Sequence, residues 1–334
     1  MLNALMAGKD LTADDTRVFL DGIARGEITP AQIGAIITAL RMKGETPAEI
    51  AGLLHAMRSH MTKLEAPGAI DIVGTGGDGS GTFNISTAAA FVAAGAGAKI
   101  AKHGNRAASS ACGSADVLEA LGVNVQIHSE QAKIIFDKAG IVFMLAPLYH
   151  AALKQVVAVR KELKVRTIFN VLGPFANPAG TTRQLIGVPT KEIAKTMAKV
   201  ATSLGYGRVI IVTSADGMDE ISLSAKTYAY DIQGSKSRAF MIDPKKFGFK
   251  KAEKSDIAGG TAEENAAIIQ DILNGKKSAA RDIVVLNTAF ALYVAGIAKS
   301  PKEGIALAEK SIDNGNAKKV LERLIKESNA FAKI

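Results

Sequence analysis

Apolar positions recur with a helical period through the first 65 residues of the chain. The runs IGAIITALRMKG and IAGLLHAMRSHM each follow a tetrapeptide of Thr, Pro, Ala and Gln or Glu, which begins at Thr29 and at Thr46. That order places Thr at the N-cap, Pro at the first helical position and Gln or Glu at the third, which is a capping box. Thr12 precedes a third such run, RVFLDGIARG. The pattern predicts a small all-helical domain over residues 1–65.

The pattern changes at Pro67-Gly68, after which short apolar runs alternate with amphipathic ones. This alternation predicts an α/β fold, with a large domain over 70–334 that has a mostly parallel central sheet flanked by helices. The candidate strands are Ile70–Val73, Ala98–Ala101, Val123–Ile127, Ile141–Leu145, Gln184–Val188, Arg208–Thr213 and Asp282–Leu286. The candidate helices are Thr87–Ala94, Ser114–Leu121, Lys191–Leu204, Ala262–Leu273, Ile305–Asp313 and Ala317–Ile325. Residues 235–254 are rich in lysine and are interpreted as a surface hairpin.

One segment interrupts the alternation of strands and helices. Residues 151–163 and 166–172 have a helical pattern, and the breakers Gly173-Pro174 and Asn177-Pro178 follow them. We expect this segment to pack back on the N-terminal helices.

Composition narrows the class of protein. Of the 334 residues 48% are hydrophobic, which is enough for a large buried core and excludes disorder as the main state. The single cysteine, Cys112, excludes an internal disulfide and suits a reducing compartment. The N-terminus is too polar for a secretory signal, and no apolar run approaches the roughly 20 residues of a membrane span. We therefore expect a cytoplasmic protein.

The net charge of +9 allows two interpretations. A basic chain can bind nucleic acid through its phosphates, or it can concentrate small anionic substrates by its electrostatic field. Because the lysines are spread along the chain and form no long basic tail, most of them are interpreted as an ordinary solvated surface.

The most informative run is DIVGTGGDGSGTFNIST, from Asp71 to Thr87. Glycines after a strand let backbone N–H groups approach a phosphate, and the helix that follows offers free N–H groups and a positive dipole end. Ser86 and Thr87 can cap this helix, contact phosphate or bind Mg²⁺. A glycine turn with an ordinary N-cap is the alternative. The run matches neither the Walker P-loop nor the dinucleotide fingerprint.

A second polar run, Lys102–Arg106, follows the candidate strand at Ala98–Ala101. The carboxyl ends of strands line the ligand crevice of an α/β sheet, so Lys102 and Arg106 would add positive charge there. Asn105, Ser109 and Ser110 add directed hydrogen-bonding groups. Ser114 is also interpreted as the N-cap of the run ADVLEALG. His103 taken alone is more often a structural histidine than an acid or base.

Two further groups are candidates for ligand contacts. Asp219 and Glu220 follow a strand, and two adjacent carboxylates near phosphates suit Mg²⁺, although a surface acidic pair is commoner. Arg160 follows Tyr149 and His150, and its guanidinium suits a carboxylate. Arg166 is a second candidate, for which a structural role is favoured because its neighbours look buried.

In order along nearly the whole chain, four runs resemble the anthranilate phosphoribosyltransferases of tryptophan biosynthesis. They are GTGGDGSGTFNIST, KHGNRAASSACGSADVLEALG, LAPLYHAALKQVVAVRKELKVRTIFNVLGPFANPA and DGMDEIS. The resemblance implies a nucleoside phosphorylase-like fold with a small helical domain, which residues 154–178 join, and a homodimer formed through that domain. It implies transfer of phosphoribose from phosphoribosyl diphosphate (PRPP) to the amine of anthranilate, with two Mg²⁺ ions per monomer and without nucleic acid or membrane partners.

The same resemblance assigns residues to ligands. Those implied to hold PRPP are Gly74, Gly77, Asp78, Thr82, Asn84, Ile85, Ser86, Thr87, Lys102, His103, Gly104, Asn105, Arg106, Ala107, Ala108, Ser109, Ser110 and Ser114. Those implied to contact anthranilate or its entry path are Gly74, Asn105, Tyr149, His150 and Arg160. Ser86, Asp219 and Glu220 are the implied metal ligands, and no residue is implied to act as a covalent nucleophile.

Three alternatives stay open on the sequence alone. A pyrimidine nucleoside phosphorylase would share the fold, although its glycine loop and lysine signature differ from GTGGD and KHGNR. A nucleic-acid-binding relative is favoured by the basic pI, but DNA binding needs none of the clustered residues described above. A phosphoribosyltransferase with another aromatic acceptor is the hardest to exclude.

Overall fold

The computed structural model describes residues 1–107 and 111–331, and it begins with helices that are set by their caps. They are α1 (Leu2–Met6), α2 (Ala13–Ala24), α3 (Pro30–Lys43) and α4 (Pro47–His60). Thr12, Thr29 and Thr46 each accept a hydrogen bond from the backbone N–H three residues later, so the three predicted capping boxes are confirmed. The first helix was not predicted, because five residues are too few to display a period.

The strands form one mixed layer that is parallel at its centre. They are β1 (Asp71–Gly74), β2 (Ile100–Gly104), β3 (Ile141–Leu145), β4 (Arg183–Gly187), β5 (Arg208–Ser214), β6 (Thr227–Gln233) and β7 (Lys236–Ile242). The main order is β1-β4-β5-β6-β7, parallel up to β5 and antiparallel beyond it, and β2 pairs with β3 in parallel. A parallel bridge between Ile70 and Ile100 brings β2 alongside the start of β1.

The later helices cover this layer. They are α5 (Ile85–Gly95), α6 (Ser114–Ala120), α7 (Ser129–Ala139), α8 (Ala146–Tyr149), α9 (Lys154–Leu163), α10 (Phe169–Leu172), α11 (Lys191–Ser203), α12 (Ala262–Leu273), α13 (Ala279–Ala295), α14 (Pro301–Asp313) and α15 (Asn316–Asn329). Short 3₁₀ turns lie at Ala151–Leu153, Gly173–Ala176, Pro244–Phe247 and Lys254–Ile257. The predicted α/β class and all six candidate helices are confirmed.

The sheet separates two hydrophobic cores. Because successive side chains of a strand point to opposite faces, neighbouring residues of β4 belong to different cores. Leu185 packs with the buried side chains of α5 and α13, whereas Ile186 packs with those of the N-terminal helices and α11. Segment 151–176 joins the second core, with α9 against α3. Arg58 of α4 also donates two hydrogen bonds to the Phe175 carbonyl, at 3.0 and 2.8 Å.

Two of the candidate strands were wrong. Asp282–Leu286 lies inside α13, whose side chains are buried on almost all sides, so its apolar run carries no helical period that distinguishes it from a buried strand. Val123–Ile127 belongs to no helix or strand; its alternate residues are buried, but it forms no ladder with the described strands. Its backbone instead meets side chains, with the Asn124 N–H donating to Ser328 and Ile127 accepting from Tyr149.

The hairpin lies earlier than expected. It pairs β6 with β7 over Thr227–Ile242, so only its second strand falls within residues 235–254. The run TYAYDIQ of β6 begins with alternating buried and partly exposed residues and is rich in aromatic and β-branched side chains, a strand signal that the sequence interpretation overlooked. Throughout the described residues, no helix combines the length and apolar character needed to span a membrane.

Candidate active site

The candidate residues collect where the parallel strands end. The glycine loop follows β1, the run Asn105–Ala107 follows β2, and Asp219-Glu220 follows β5 through a short turn. Because β1, β4 and β5 are parallel neighbours, these polar segments meet at one edge of the sheet. Residues 151–176, which pack on the N-terminal helices, border the same edge through Arg166.

Asp219 and the glycine loop are fitted closely to each other. The Gly76 N–H donates to Asp219 Oδ2 at 2.7 Å, and the Asp219 N–H donates to Asp78 Oδ2 at 3.3 Å. A Cβ on Gly74 would lie 2.5 Å from Asp219 Oδ2, and one on Gly187 would lie 1.5 Å from the Asp219 carbonyl oxygen. Glycine is therefore required at both positions by the approach of Asp219, and not by an unusual turn.

The first turn of α5 faces the same acidic pair. Asn84 is its N-cap residue, but the Asn84 side chain bridges instead to the Cys112 carbonyl at 3.3 Å and to Asn265 Nδ2 at 3.0 Å. The backbone of Ser86 lies close enough to the Glu220 carboxylate to oppose the rise of its pKa. Thr87 Oγ1 is buried without a hydrogen-bond partner within the described residues. The start of α5 therefore lies beside a carboxylate, and the unpartnered Thr87 hydroxyl and the positive end of the helix dipole suit an anion.

Lys102 lies buried beneath this cluster, with 4% of its surface exposed. Its ammonium donates to the Ile72 carbonyl at 2.6 Å and to Ser86 Oγ at 3.3 Å. Burial lowers the pKa of Lys102, while the negative charges of Asp71 and Glu220 act in the opposite direction. The lysine therefore joins β1, β2 and α5 directly under the acidic pair.

Burial and neighbouring carboxylates raise the proton affinity of Asp219 and Glu220 at this edge. Burial, followed by the charge of Asp78, raises the pKa of Asp219 to about 7. Burial and the charge of Asp219 raise the pKa of Glu220 well above its ordinary value. Such crowding is relieved when a divalent cation binds among the oxygens.

Protein side chains alone do not complete a metal site. Across residues 1–107 and 111–331, no group of three or more His, Cys, Asp and Glu is arranged to hold a metal ion. Asp219, Glu220 and the Ser86 hydroxyl supply oxygen ligands only. This donor set fits Mg²⁺, which is commonly held by one or two carboxylates together with the phosphates of a substrate.

Ion pairs hold the run after β2 against α6. The Arg106 guanidinium donates to both carboxylate oxygens of Glu119 at 2.5 and 2.7 Å, and it also pairs with Asp116 at 3.2 Å. The hydrogen bond to Glu119 raises the pKa of Arg106 above its usual range. Arg106, which the sequence analysis assigned to an anionic ligand, is thus paired with carboxylates of α6 in this structure.

The remaining residues of that run lie close by. Ser114 Oγ donates to the Asn105 carbonyl at 3.2 Å. Ser114 was expected to be the N-cap of α6, but Gly113 takes that position and Ser114 is the first helical residue, because the Asp116 carboxylate accepts the Gly113 N–H. Ala107 donates its N–H to the same carboxylate. The candidates Ala108, Ser109 and Ser110 lie outside the described residues.

The imidazole of His103, in β2, lies close to that of His150. The rings of His103 and His150 are 5.1 Å apart, and His103 Nδ1 lies 3.3 Å from the Gly173 carbonyl oxygen. Burial lowers the pKa of His103 to about 3 and that of His150 to about 4. Tyr149 lies in the core and donates its hydroxyl to the Ile127 carbonyl at 3.2 Å, so its polar atom is already bonded within the protein.

Two arginines of the segment 151–176 lie near each other, and one of them contacts the glycine loop. Arg160 lies over the ring of Phe169 at 5.9 Å, and its buried Nε has no hydrogen-bond partner in the part of the chain that the structure describes. Burial lowers the pKa of Arg160, and the nearby charge of Arg166 lowers it further. Arg166 Nη1 donates to the Gly76 carbonyl at 2.6 Å. Arg160, a half-buried cation whose Nε has no partner in the described part of the chain, suits a carboxylate ligand.

Two supporting residues were not identified from the sequence. Asp71 Oδ2 accepts from Asn177 Nδ2 at 2.8 Å and from the His103 N–H at 3.4 Å, and burial raises the pKa of Asp71 to about 6. The signal was present, since an acidic residue between two isoleucines of a strand needs a partner. Asn177 was interpreted only as a helix breaker.

Comparisons with known proteins agree with this arrangement. Residues 66–318 match the model for the glycosyl transferase family a/b domain, and residues 1–61 match the helical bundle domain of the same family. An anthranilate phosphoribosyltransferase of Thermomicrobium roseum is 48% identical over 99% of this chain and 97% of its own length. One from Dehalococcoides mccartyi is 46% identical over 99% and 98%.

Solved structures give the same result. The crystal structure of an anthranilate phosphoribosyltransferase from Thermus thermophilus matches with a TM-score of 0.91 and 38% identity, over 98% of this chain and 99% of that one. An enzyme from Saccharomyces cerevisiae, solved in complex with PRPP and Mg, matches with a TM-score of 0.90 and 32% identity, over 99% and 97%.

Proposed function

This chain belongs to the anthranilate phosphoribosyltransferase family, and we propose that it transfers the phosphoribosyl group of PRPP to the amine of anthranilate. The products are N-(5-phosphoribosyl)anthranilate and diphosphate, in tryptophan biosynthesis. The arrangement of the site supports this function. A glycine loop, a carboxylate cluster and a buried lysine share an edge of the sheet, which Arg166 contacts, and Arg160, whose Nε is unpartnered within the described residues, lies near Arg166.

PRPP would bind over the glycine loop and the first turn of α5. The backbone N–H groups of the loop and the hydroxyl of Thr87, which is unpartnered among the described residues, suit phosphate oxygens. The proposed contacts are Gly74, Gly77, Asp78, Thr82, Asn84, Ile85, Ser86, Thr87, Lys102, His103, Gly104, Asn105, Arg106, Ala107, Ala108, Ser109, Ser110 and Ser114. For Arg106 to contact a phosphate directly, its guanidinium has to exchange Glu119 for the ligand.

Mg²⁺ would be held by Asp219, Glu220 and the Ser86 hydroxyl together with phosphate oxygens of the substrate. The raised pKa values of the two carboxylates support this assignment, because a cation among them relieves their repulsion. The yeast relative was solved with PRPP and Mg. We propose two ions per monomer, which would neutralise the charge of the departing diphosphate.

Anthranilate would bind from the opposite side, between the loop and residues 151–176. Arg160 offers its free guanidinium to the carboxylate, while Gly74, Asn105 and His150 border the aromatic ring. Tyr149 supports this wall from the core instead of contacting the ligand with its hydroxyl. A yeast relative was solved in complex with 4-fluoroanthranilate.

The difficult step of this reaction is the departure of diphosphate, and not the activation of the amine. The amine of anthranilate attacks without prior deprotonation, whereas loss of diphosphate leaves positive charge on the ribose and negative charge on the leaving group. Lys102 and the loop N–H groups would stabilise the leaving group. His103 and His150 are neutral at physiological pH, so they line the cleft without donating a proton from a charged ring. No covalent intermediate is needed.

The fold suggests how the two ligands are brought together. We propose a helical domain over residues 1–65, joined by 154–178, and a large domain over 70–334 that carries the PRPP site. Closure of one domain on the other would exclude water, which otherwise hydrolyses PRPP. Exposed apolar side chains of the helical domain, among them Met6 and Met42, support a homodimer formed through it. The lone cysteine suits a cytoplasmic location.

Anthranilate fluorescence tests this function directly. The purified protein should abolish the fluorescence of anthranilate when PRPP and Mg²⁺ are both present, and omission of either or addition of EDTA should stop the change. Thymidine or uridine with phosphate should give no free base. Phosphorolysis of these nucleosides without loss of anthranilate would instead identify a nucleoside phosphorylase, and other aromatic amines in place of anthranilate test the acceptor.

A further inference from the structure

Arg166 connects two parts of the molecule that are far apart in sequence. It lies between α9 and α10, in the segment that packs against the N-terminal helices, and it follows Lys164, whose φ of 54° turns the chain at the end of α9. Its guanidinium nevertheless reaches the glycine loop after β1, where Nη1 donates to the Gly76 carbonyl at 2.6 Å. The contact spans 90 positions of sequence.

The loop is shaped to receive this guanidinium. A Cβ on Gly77 would lie 2.3 Å from Arg166 Nη1, so a side chain at that position would displace it. Gly76 is held from its other side as well, because its N–H donates to Asp219 Oδ2 at 2.7 Å. The two peptide groups that flank the Gly76 Cα are therefore both hydrogen-bonded, one to Asp219 and one to Arg166.

Charges on both sides act on the Arg166 guanidinium. Burial lowers the pKa of Arg166, as does the charge of Arg41, while the charges of Asp219 and Asp78 stabilise the cation. Arg166 Nη2 is buried and has no hydrogen-bond partner among the residues with described positions. The attraction of the two carboxylates favours the position of the guanidinium at the loop, where Nη1 donates to the Gly76 carbonyl.

From these contacts we propose that Arg166 is a positioning residue for PRPP, which orders the glycine loop from the segment that packs on the N-terminal helices. Gly76 and Gly77 have φ near +70°, a conformation that glycine can leave at little cost. Without a restraint, ordering this loop would have to be part of substrate binding and would weaken it. Arg166 supplies the restraint before the substrate arrives.

This role differs from the one proposed for Arg160, whose guanidinium donates to no carbonyl of the glycine loop among the described residues. Arg166 would act through the Gly76 carbonyl, and so its loss should weaken the binding of PRPP and not that of anthranilate. The inference rests on the proposed function only in naming PRPP as the ligand of the loop.

Hydrogen exchange tests the positioning role without any substrate. In Arg166→Gln, backbone amides of residues 74–80 should exchange about tenfold faster than in the wild type, because loss of a charge-assisted hydrogen bond frees the loop. Lys161→Gln, an exposed change on α9, is the matched control and should leave their exchange unaltered. Unaltered exchange in Arg166→Gln would overturn the proposal, even if the variant lost activity.

Kinetics provide the second readout. Arg166→Gln should raise the KM for PRPP about tenfold to hundredfold, the range for a hydrogen bond from a charged donor, with the KM for anthranilate within about twofold. Arg166→Lys keeps a charged donor and should restore part of the affinity for PRPP. Free guanidinium should do the same for Arg166→Ala.

The outcomes separate the two hypotheses. Equal changes in both KM values, or a lower melting temperature with an unchanged KM for PRPP, would overturn the positioning role. If the wild type failed to consume anthranilate, the proposed function would fail instead. The exchange experiment and calorimetric binding of PRPP with Mg²⁺ would then still decide the role of Arg166.

Discussion

The carboxylate of Asp219 accepts the N–H of Gly76 at 2.7 Å, which joins the acidic pair to the glycine loop before any ligand is bound. One side chain thus contacts the segment proposed to hold phosphate and is itself proposed to hold the metal.

Replacing Asp219 should affect metal use and loop order together. Asp219→Asn keeps a hydrogen-bond acceptor for Gly76 but removes the charge, so we expect kcat/KM to fall about 100-fold or more. The Mg²⁺ concentration that gives half-maximal rate should rise as well. Initial rates measured across a Mg²⁺ titration check this. Asp271→Asn, at an exposed position of α12, is the matched control, and equal curves for the two variants would contradict the metal assignment.

Arg160 should discriminate between the two substrates. Arg160→Ala removes the free donor proposed for the carboxylate, and we expect the KM for anthranilate to rise about tenfold to hundredfold, far more than the KM for PRPP. Arg160→Lys should recover little, because an ammonium lacks the planar fork of guanidinium. Steady-state kinetics with each substrate varied in turn provide the measurement. Similar increases in both KM values would refute the assignment.

Gly187 tests the close packing beneath Asp219. Gly187→Ala would place a methyl group 1.5 Å from the Asp219 carbonyl oxygen, so either strand β4 or the Asp219 turn must move. We expect a loss of activity of at least about tenfold and destabilisation of about 1–3 kcal/mol. Activity and chemical denaturation should be compared with Gly34→Ala in α3.

Gly34 is a suitable control because a methyl group there meets only Val159 Cγ1, at an ordinary 3.5 Å. Alanine also favours a helix over glycine, so this variant should be as active as the wild type and no less stable. A fully active and stable Gly187→Ala protein would show that the approach of Asp219 is not required.

Asp71 should contribute a distinct pH dependence to stability. Burial raises its pKa from 3.8 to about 6, so the folded state binds this proton more tightly than the unfolded state does. The contribution of Asp71 to the free energy of unfolding is therefore fully present below about pH 4. It is lost as the pH rises to about 6, and it amounts to something on the order of 3 kcal/mol. His103 and His150 have lowered pKa values and oppose it, because they destabilise the fold in acid.

The comparison of Asp71→Asn with the wild type isolates this contribution. Asparagine cannot titrate, and it retains an oxygen for Asn177 and His103. The free energy of unfolding of the wild type should fall relative to that of the variant between pH 4 and pH 6. Urea denaturation at several pH values provides the data, and parallel curves across this range would exclude Asp71 as the cause.

Local signals were sufficient for the elements that begin at a cap or a glycine. Thr29 and Thr46 specify the helix starts through neighbours three residues away, and the glycine loop is identified by a contiguous run. The same reasoning failed at Asp282–Leu286, where burial on almost all sides removes the period that separates helix from strand. Such a segment is assigned only once its partners, here α5 and α14, are known.

The contacts within the site were less predictable than its residue types. The sequence suggested a structural role for Arg166 because its neighbours looked buried. Ile168 and Phe169 are indeed buried, whereas Val165 is 54% exposed and the Arg166 guanidinium reaches Gly76. Nothing local to residue 166 indicates a carbonyl 90 positions earlier. Arg106 was likewise identified as a cation, but its pairing with Glu119 depends on how α6 packs after a turn.

The alternation of side chains along β4 limits how this protein could be recombined with its relatives. Ile186 and Val188 belong to the core of the N-terminal helices, although they are more than 120 positions away from residue 65. A chimaera that exchanges only residues 1–65 would join one parent's helices to the other parent's sheet face. Domain shuffling in this family should therefore succeed only when that face of β4 and β5 is inherited with the helices.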